Sequence, residues 1–384
     1  MVNDMKKNFR KLFCLVLIFT MAFTSVCCIA YGKDKGLVYV SLGDSIAVGV
    51  GLPENQSYKD GEYNLETFFC YKTPGSYPVL LAERLGVKDE NFYQLACSAM
   101  RITDILNCLD PAYNPSTDVE ESSLIGKLLP TLLEHYDYQA IVKKADVITL
   151  NIGSNDVMSY AVSAIATALT STGVSETVTN RLTEDSLENN RYLEAYYNLV
   201  DYASKLNNYN RIISIAINEL NKGLNEFKQN WDALCKRIYK LNPDVKLVCL
   251  GIYNPFGETK LSDDSDFAIG SILDGLMLSI DSWCATGSKY AKKYTYVSVI
   301  GTETILQERG LSFTDEGFFD DFVLDIHPSL KGHQEIANKI INQLTAAKFI
   351  PAPVNNFISA SKSLIKTVAN HATKIVTKIF SIFK

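Results

Sequence analysis

The sequence predicts an α/β fold in which a sheet of parallel strands is covered on both faces by helices. Short runs of β-branched and apolar residues recur along the chain, and stretches with helical periodicity fill the intervals between them. The composition agrees: 384 residues, 47% hydrophobic and 21% charged, with 21 Gly and 11 Pro. Those proportions exclude disorder, a collagen-like repeat and a coiled-coil rod. The length suffices for one large domain or two average ones with a substantial core.

In chain order, residues 1–30 come first and read as an export signal. Lys6, Lys7, Arg10 and Lys11 form a basic start, and an apolar run follows from Leu12 through Cys27. Cys28-Ile29-Ala30 then places small residues where a signal peptidase cuts, and the run is short for a membrane span. Val26 and Cys27 precede the two candidate acceptor cysteines, which argues against lipidation. An uncleaved N-terminal anchor is the alternative, and with either the body leaves the cytoplasm.

The domain proper is expected over 36–348. Leu37–Leu42, ending at Gly43, is an apolar run of the kind a buried parallel strand shows. Pro78–Leu85 has helical spacing and stops near Gly86. Phe92–Ala96 and Val147–Ile152 are the next strand candidates, with a helix at Ile141–Ala145 before the latter. Residues 157–240 are read as a largely helical insertion, Ala-, Ser- and Thr-rich at first, then Asn- and Tyr-rich to 210, with the long helical stretch Ile212–Leu241 after that. Val245–Ile252 and Tyr294–Ile300 complete five strands, and Gly332–Ala347 is a closing helix. Pro351 and Pro353 break the chain before the tail 353–384. From Phe357 the tail repeats apolar residues at helical spacing, with lysines at four-residue steps. Such a helix either lies on an anionic membrane surface or docks on the acidic body.

Charge and cysteine usage narrow the partners. The chain carries −6 overall, but 1–30 carry +3 and 353–384 carry +5, so 31–352 hold −14. A body that acidic is a poor partner for nucleic acid, whose binding rests on phosphate neutralisation. Six cysteines lie outside the signal: Cys70, Cys97, Cys108, Cys235, Cys249 and Cys284. Disulfides are permitted outside the cell, with connectivity left open, and Cys249 within its apolar run reads as a buried thiol. No Cys/His spacing fits zinc, so neither a metal nor another cofactor is expected.

The densest chemical signal is Gly43-Asp44-Ser45 just past the first strand. Alone, such a triplet reads as a helix cap. A serine there also presents its hydroxyl at the sheet's carboxyl edge, where main-chain N–H groups stabilise negative charge. Gly49-x-Gly51 lacks the further residues of a nucleotide loop. The third strand runs into Gly153-Ser154-Asn155-Asp156, which offers a side-chain amide at a strand's end, and Asp156 reads as a loop brace. Near the C-terminus stands Asp325-Ile326-His327-Pro328. Only four histidines exist. His135, His333 and His371 are expected at the surface, which leaves His327 as the candidate base for a serine.

These blocks resemble the SGNH, or GDSL, hydrolases, named for a Ser, Gly, Asn and His in four motifs. Gly43-Asp44-Ser45 is similar to the first, Gly153-x-Asn155-Asp156 to the third and His327-Pro328 to the last, over roughly Val38 to Ala347. The resemblance implies a flavodoxin-like three-layer α/β/α sandwich and metal-free hydrolysis of carboxylic esters or thioesters. It implies Ser45 as nucleophile and His327 as general base. It places Ala99, Asn155 and Gly153 at the oxyanion or the substrate. Two departures stand out. Ala99 occupies the place of the second block's glycine, and it keeps the N–H provided the backbone there does not require φ > 0. Leu324 stands three residues before His327, where the family has its acid, so Asp325 is the candidate that orients the imidazole, with a main-chain carbonyl as the alternative. The expected function is an exported serine esterase acting on a small ester, an acylated glycan or a lysolipid, secreted or held at the cell surface, with peripheral membrane-surface contact through 357–384 as one role for the tail. The alternative is a non-catalytic carbohydrate- or lipid-binding protein on the same fold.

Overall fold

The computed structural model describes residues 36–55, 58–59, 62–63, 69–110, 112–113, 124–188, 192–255, 271–302, 304 and 326–349. The expected signal, the basic tail and Asp325 lie outside these residues. Five strands form the main sheet: β1 (Tyr39–Gly43), β2 (Phe92–Gln94), β3 (Val147–Asn151), β4 (Lys246–Leu250) and β5 (Thr295–Val297). All neighbouring pairs are parallel, in the order β2-β1-β3-β4-β5. That order is the doubly wound one, in which β1 lies between the second and third strands. The three-layer α/β/α expectation therefore holds, and each of the five strands lies within a run read from sequence.

The pleat assigns alternate residues to the two faces. Tyr39, Val147, Val248, Leu250 and Val297 point to one core. Two helices close it, α2 (Tyr77–Leu85) and α11 (Leu330–Ala346), through Leu81, Ile336, Ile340 and Leu344, all fully buried. Val40, Leu42, Ile148, Leu150, Leu247 and Cys249 point to the other core. There the cover is thicker: α3 (Ile102–Leu109), α4 (Leu124–His135), α5 (Tyr138–Lys144), α6 (Ser154–Ser171), α7 (Glu176–Glu188), α8 (Tyr192–Ser204), α9 (Tyr209–Leu241) and α10 (Ser271–Thr286). Helix α9 has 33 residues and spans about 50 Å at 1.5 Å per residue. Its buried residues Ile212, Ala216, Leu220, Leu224, Phe227, Trp231, Leu234 and Ile238 recur every three or four positions, so one stripe faces the core.

Tyr160, Tyr196, Tyr197, Tyr202 and Tyr209 of the 157–210 stretch pack. Tyr196 is fully buried, and Tyr197, Tyr202 and Tyr209 lie half-buried against the same core. The six cysteines among the described residues are free thiols, five of them buried. Burial raises the Cys249 thiol well above its ordinary value, because the thiolate has lost its water.

The surface expectation for His333 is overturned. This residue of α11 is fully buried, and its Nδ1 accepts the Tyr77 N–H at 3.2 Å. Tyr77 opens α2, where the first N–H groups have no acceptor within the helix, and the imidazole of α11 supplies one. Helical spacing around His333 does not by itself reveal that this face meets another helix end. His135 is exposed at the last turn of α4, as expected.

Candidate active site

Gly43 ends β1 pressed against β3: a Cβ at this position would meet the Asn151 carbonyl oxygen at 2.4 Å, and the next N–H, of Asp44, donates to that same oxygen at 3.1 Å. Only glycine fits so close an approach. Asp44 then leaves the strand and caps the one-turn helix α1 (Ser45–Val48), its Oδ1 accepting the Ile46 N–H at 3.1 Å. The helix-cap reading of Gly-Asp-Ser is thus correct for Asp44. Burial to 1% exposure pushes the Asp44 carboxyl up to about 7, against the opposing pull of the Ile46 N–H and of His327.

Ser45 follows as the first residue of α1, half-buried between buried neighbours. His327 Nε2 lies 2.8 Å from Ser45 Oγ, across 282 residues of chain. Pro328 pairs with Thr304 in an isolated antiparallel bridge. Ser329 then caps α11, its Oγ accepting the Gly332 N–H at 3.2 Å. The imidazole is therefore carried on a short non-helical segment running directly into a capped helix, and a proline disfavours helical geometry in the residue before it.

Two further loops arrive from the strands flanking β1. After β2, the chain continues through Cys97, whose N–H donates to the Gly43 carbonyl at 3.1 Å, and turns at Ala99. Ala99 has φ 64, a left-handed conformation that glycine adopts without steric cost and alanine does not. The condition attached to alanine at this position is met on its unfavourable side. We expect Ala99→Gly to stabilise the protein, because relieving about 1–2 kcal/mol of steric cost outweighs the roughly 0.4–1 kcal/mol that the freer unfolded chain returns. Denaturant unfolding should show a net gain of about 0.5–1 kcal/mol. An unchanged or lower midpoint would mean that alanine is held there without strain.

After β3, Gly153 takes φ 120 at the N-cap of α6, and a Cβ there would strike Phe227 Cε2 at 2.7 Å. Asn155 and Asp156 form the first turn of α6. The Asn155 amide donates to the Met100 carbonyl at 2.9 Å. Asp156, only 3% exposed, accepts the Ile102 N–H at 3.1 Å and so caps α3 from the first turn of α6. Burial raises its carboxyl to about 7, the nearby Arg101 and the Ile102 N–H resisting. These two bonds hold Met100 and Ile102 to the start of α6, and Ala99 sits between Met100 and Cys97, whose N–H the Gly43 carbonyl holds. Of the predicted site residues, Ser45, Ala99, Asn155 and His327 are each half-buried while the chain on either side of the first two is buried. Gly153 is buried beneath them, and Asp325 lies outside the described residues. The Met100 carbonyl had no signal in the sequence, since a main-chain acceptor is invisible there.

The topology explains the convergence. β1 has β2 and β3 as neighbours, so the loops leaving the carboxyl ends of three adjacent strands meet at the sheet's edge, where the connections diverge to opposite faces. A serine hydrogen-bonded to an imidazole is an arrangement suited to acyl transfer. The family model for GDSL-like lipases and acylhydrolases matches residues 41–335, which takes in every one of these groups. The chain belongs to the GDSL-like lipase/acylhydrolase family. As a member of it, the protein is a hydrolase of ester bonds.

Among solved structures the chain is similar to an extracellular lipase from Streptomyces rimosus, with 16% identity over 79% of this chain and 98% of that one, at a TM-score of 0.44. Phospholipase A1 from Streptomyces albidoflavus is similar at 18% identity over 80% and 98%, TM-score 0.43. A family two carbohydrate esterase from Clostridium thermocellum, in complex with cellohexaose, is similar at 14% identity over 83% and 66%, TM-score 0.37. A search of curated protein sequences gave no match. Among the described residues no helix is long and apolar enough to cross a membrane.

Proposed function

We propose that the protein is an exported serine esterase that works through an acyl-enzyme. The observation that carries this reading is the 2.8 Å approach of His327 Nε2 to Ser45 Oγ, within the range required of a nucleophile and its base. Ser45 Oγ attacks the ester carbonyl and its proton passes to His327 Nε2. The tetrahedral oxyanion is received by the main-chain N–H groups of Ser45 and Ala99 and by the second N–H of the Asn155 amide, the first being given to Met100. Gly153 gives the chain the left-handed turn that aims Asn155. Collapse of the intermediate expels the alcohol, which takes the proton from His327. Water activated by the same imidazole then releases the acid and restores Ser45. Asp325 is assigned the role of orienting the imidazole.

The same reading has residues 1–30 as the export signal, 36–348 as the catalytic domain with its helical insertion, and 353–384 as a basic helix that meets an anionic surface. The substrate is a carboxylic ester of small, acylated-glycan or lysolipid type. A fluorophosphonate should label Ser45 covalently and stop turnover of a chromogenic short-chain ester, because an activated serine attacks phosphorus as it attacks a carbonyl. Mass spectrometry locates the adduct. Attachment at another serine would sink the mechanism, and a folded protein that neither labels nor turns over ester would instead be the binding protein of the alternative reading. Release assays on acetylated glycans and on lysolipids then separate the substrate classes.

A further inference from the structure

His327 is held at its imidazole end by Ser45, but a ring is placed only if its Cα is placed as well. The segment 326–329 is neither helix nor sheet except for the single bridge at Pro328. The Ile326 carbonyl therefore has no ladder to join, and a buried or half-buried carbonyl needs a donor. Tyr253 provides it. Its Oη donates to the Ile326 oxygen at 2.9 Å. Tyr253 is 7% exposed and belongs to the core beneath α2 and α11, three residues beyond the carboxyl end of β4. Its ring is fixed by packing while its hydroxyl reaches the edge, a division of labour that suits tyrosine.

The Ile326 carbonyl and the His327 N–H belong to one rigid peptide plane, which also contains the Cα of His327. We infer that Tyr253 is a positioning residue for His327: its hydroxyl, by holding the Ile326 carbonyl, fixes the peptide plane from which the imidazole hangs. This rests on the proposed role of His327 as base. The tether roots that plane in the sheet core at β4, two strands away from the β1 edge that carries Ser45. The base and the nucleophile thus approach from separately anchored elements. Loss of the hydroxyl should let the ring sample poses in which Nε2 no longer faces Oγ, and misplacement on the order of 1 Å costs as much as about 10²-fold in rate.

The test compares the wild type with Tyr253→Phe and with p-aminophenylalanine incorporated at 253, which keeps an N–H donor at the same reach. Tyr253→Phe should lower kcat on a short-chain ester by about 10- to 100-fold with KM nearly unchanged, and slow fluorophosphonate labelling of Ser45 in proportion. The amino variant should recover most of both rates. Hydrogen exchange at the His327 amide, read by mass spectrometry on a short peptide, should quicken in Tyr253→Phe and return in the amino variant. Wild-type kcat in the phenylalanine variant, or a loss that the amino variant does not recover, overturns the proposal. If the wild type itself neither labels nor turns over ester, the esterase reading fails. The exchange arm then still decides whether Tyr253 holds the peptide, and unchanged exchange overturns the tether too. Should Tyr253→Phe not fold, the amino variant set against p-methoxyphenylalanine at 253, which has no donor, makes the same comparison.

Discussion

His327→Ala is expected to lower kcat/KM for a short-chain ester by on the order of 10⁵–10⁶-fold, the scale seen when a serine hydrolase loses its base. Ser45 without a base is a neutral alcohol, a weak nucleophile at any pH where the protein is folded. No described histidine is placed to substitute. His135 is exposed at the end of α4, and His333 is fully buried with its Nδ1 committed to the Tyr77 N–H. The variant should stay folded, because the imidazole of His327 is only half-buried and fills little core volume. Parallel thermal melts and far-UV spectra check this. Added imidazole should restore part of the rate, since the space vacated adjoins the Ser45 hydroxyl. A folded variant retaining more than a tenth of wild-type activity would remove His327 from the reaction.

Asn155→Ala is expected to cost about 10²–10³-fold in kcat with little change in KM, the amount lost when one oxyanion donor is removed. The structure adds a second consequence. The same amide holds the Met100 carbonyl at 2.9 Å, one residue from Ala99, so its loss also frees the turn that carries the second proposed donor. Asn155 and Ala99 should therefore be coupled. In a double-mutant cycle with Ala99→Gly, the glycine should harm activity more in the Asn155→Ala background than alone, because a permissive residue without its tether leaves the N–H unaimed. Additive effects would show that the amide and the turn act separately. A loss confined to KM would make Asn155 a substrate-binding group.

Ser45, Asn155 and His327 could be singled out from sequence because the chemistry they suit needs particular side chains, and those side chains stand at positions the strand pattern also marks. Ala99 was legible as a departure from a glycine block, yet whether it mattered turned on one dihedral. Its φ of 64 is a property of how the 97–101 turn is pulled between Gly43, Asn155 and Asp156, and no residue pattern encodes it. Six cysteines in a chain read as exported raised the question of disulfides. Five of them are buried as free thiols in the one core that α3 to α10 cover, and that burial depends on which helices cover which face.

The sequence by itself determined the α/β class, because parallel strands buried on both faces must be continuously apolar and their helical covers must be periodic. It also determined where along the chain the serine, amide and imidazole blocks fall. Only the tertiary structure decided that His333 is a buried acceptor for a helix end, that Asp156 caps a helix it does not belong to, and that Tyr253 holds the peptide beside His327. The physical reason is the same for all three. A hydrogen bond between residues far apart in sequence costs loop-closure entropy that no local pattern reveals, and it forms only because the order β2-β1-β3-β4-β5 brings those loops and helix ends to one place.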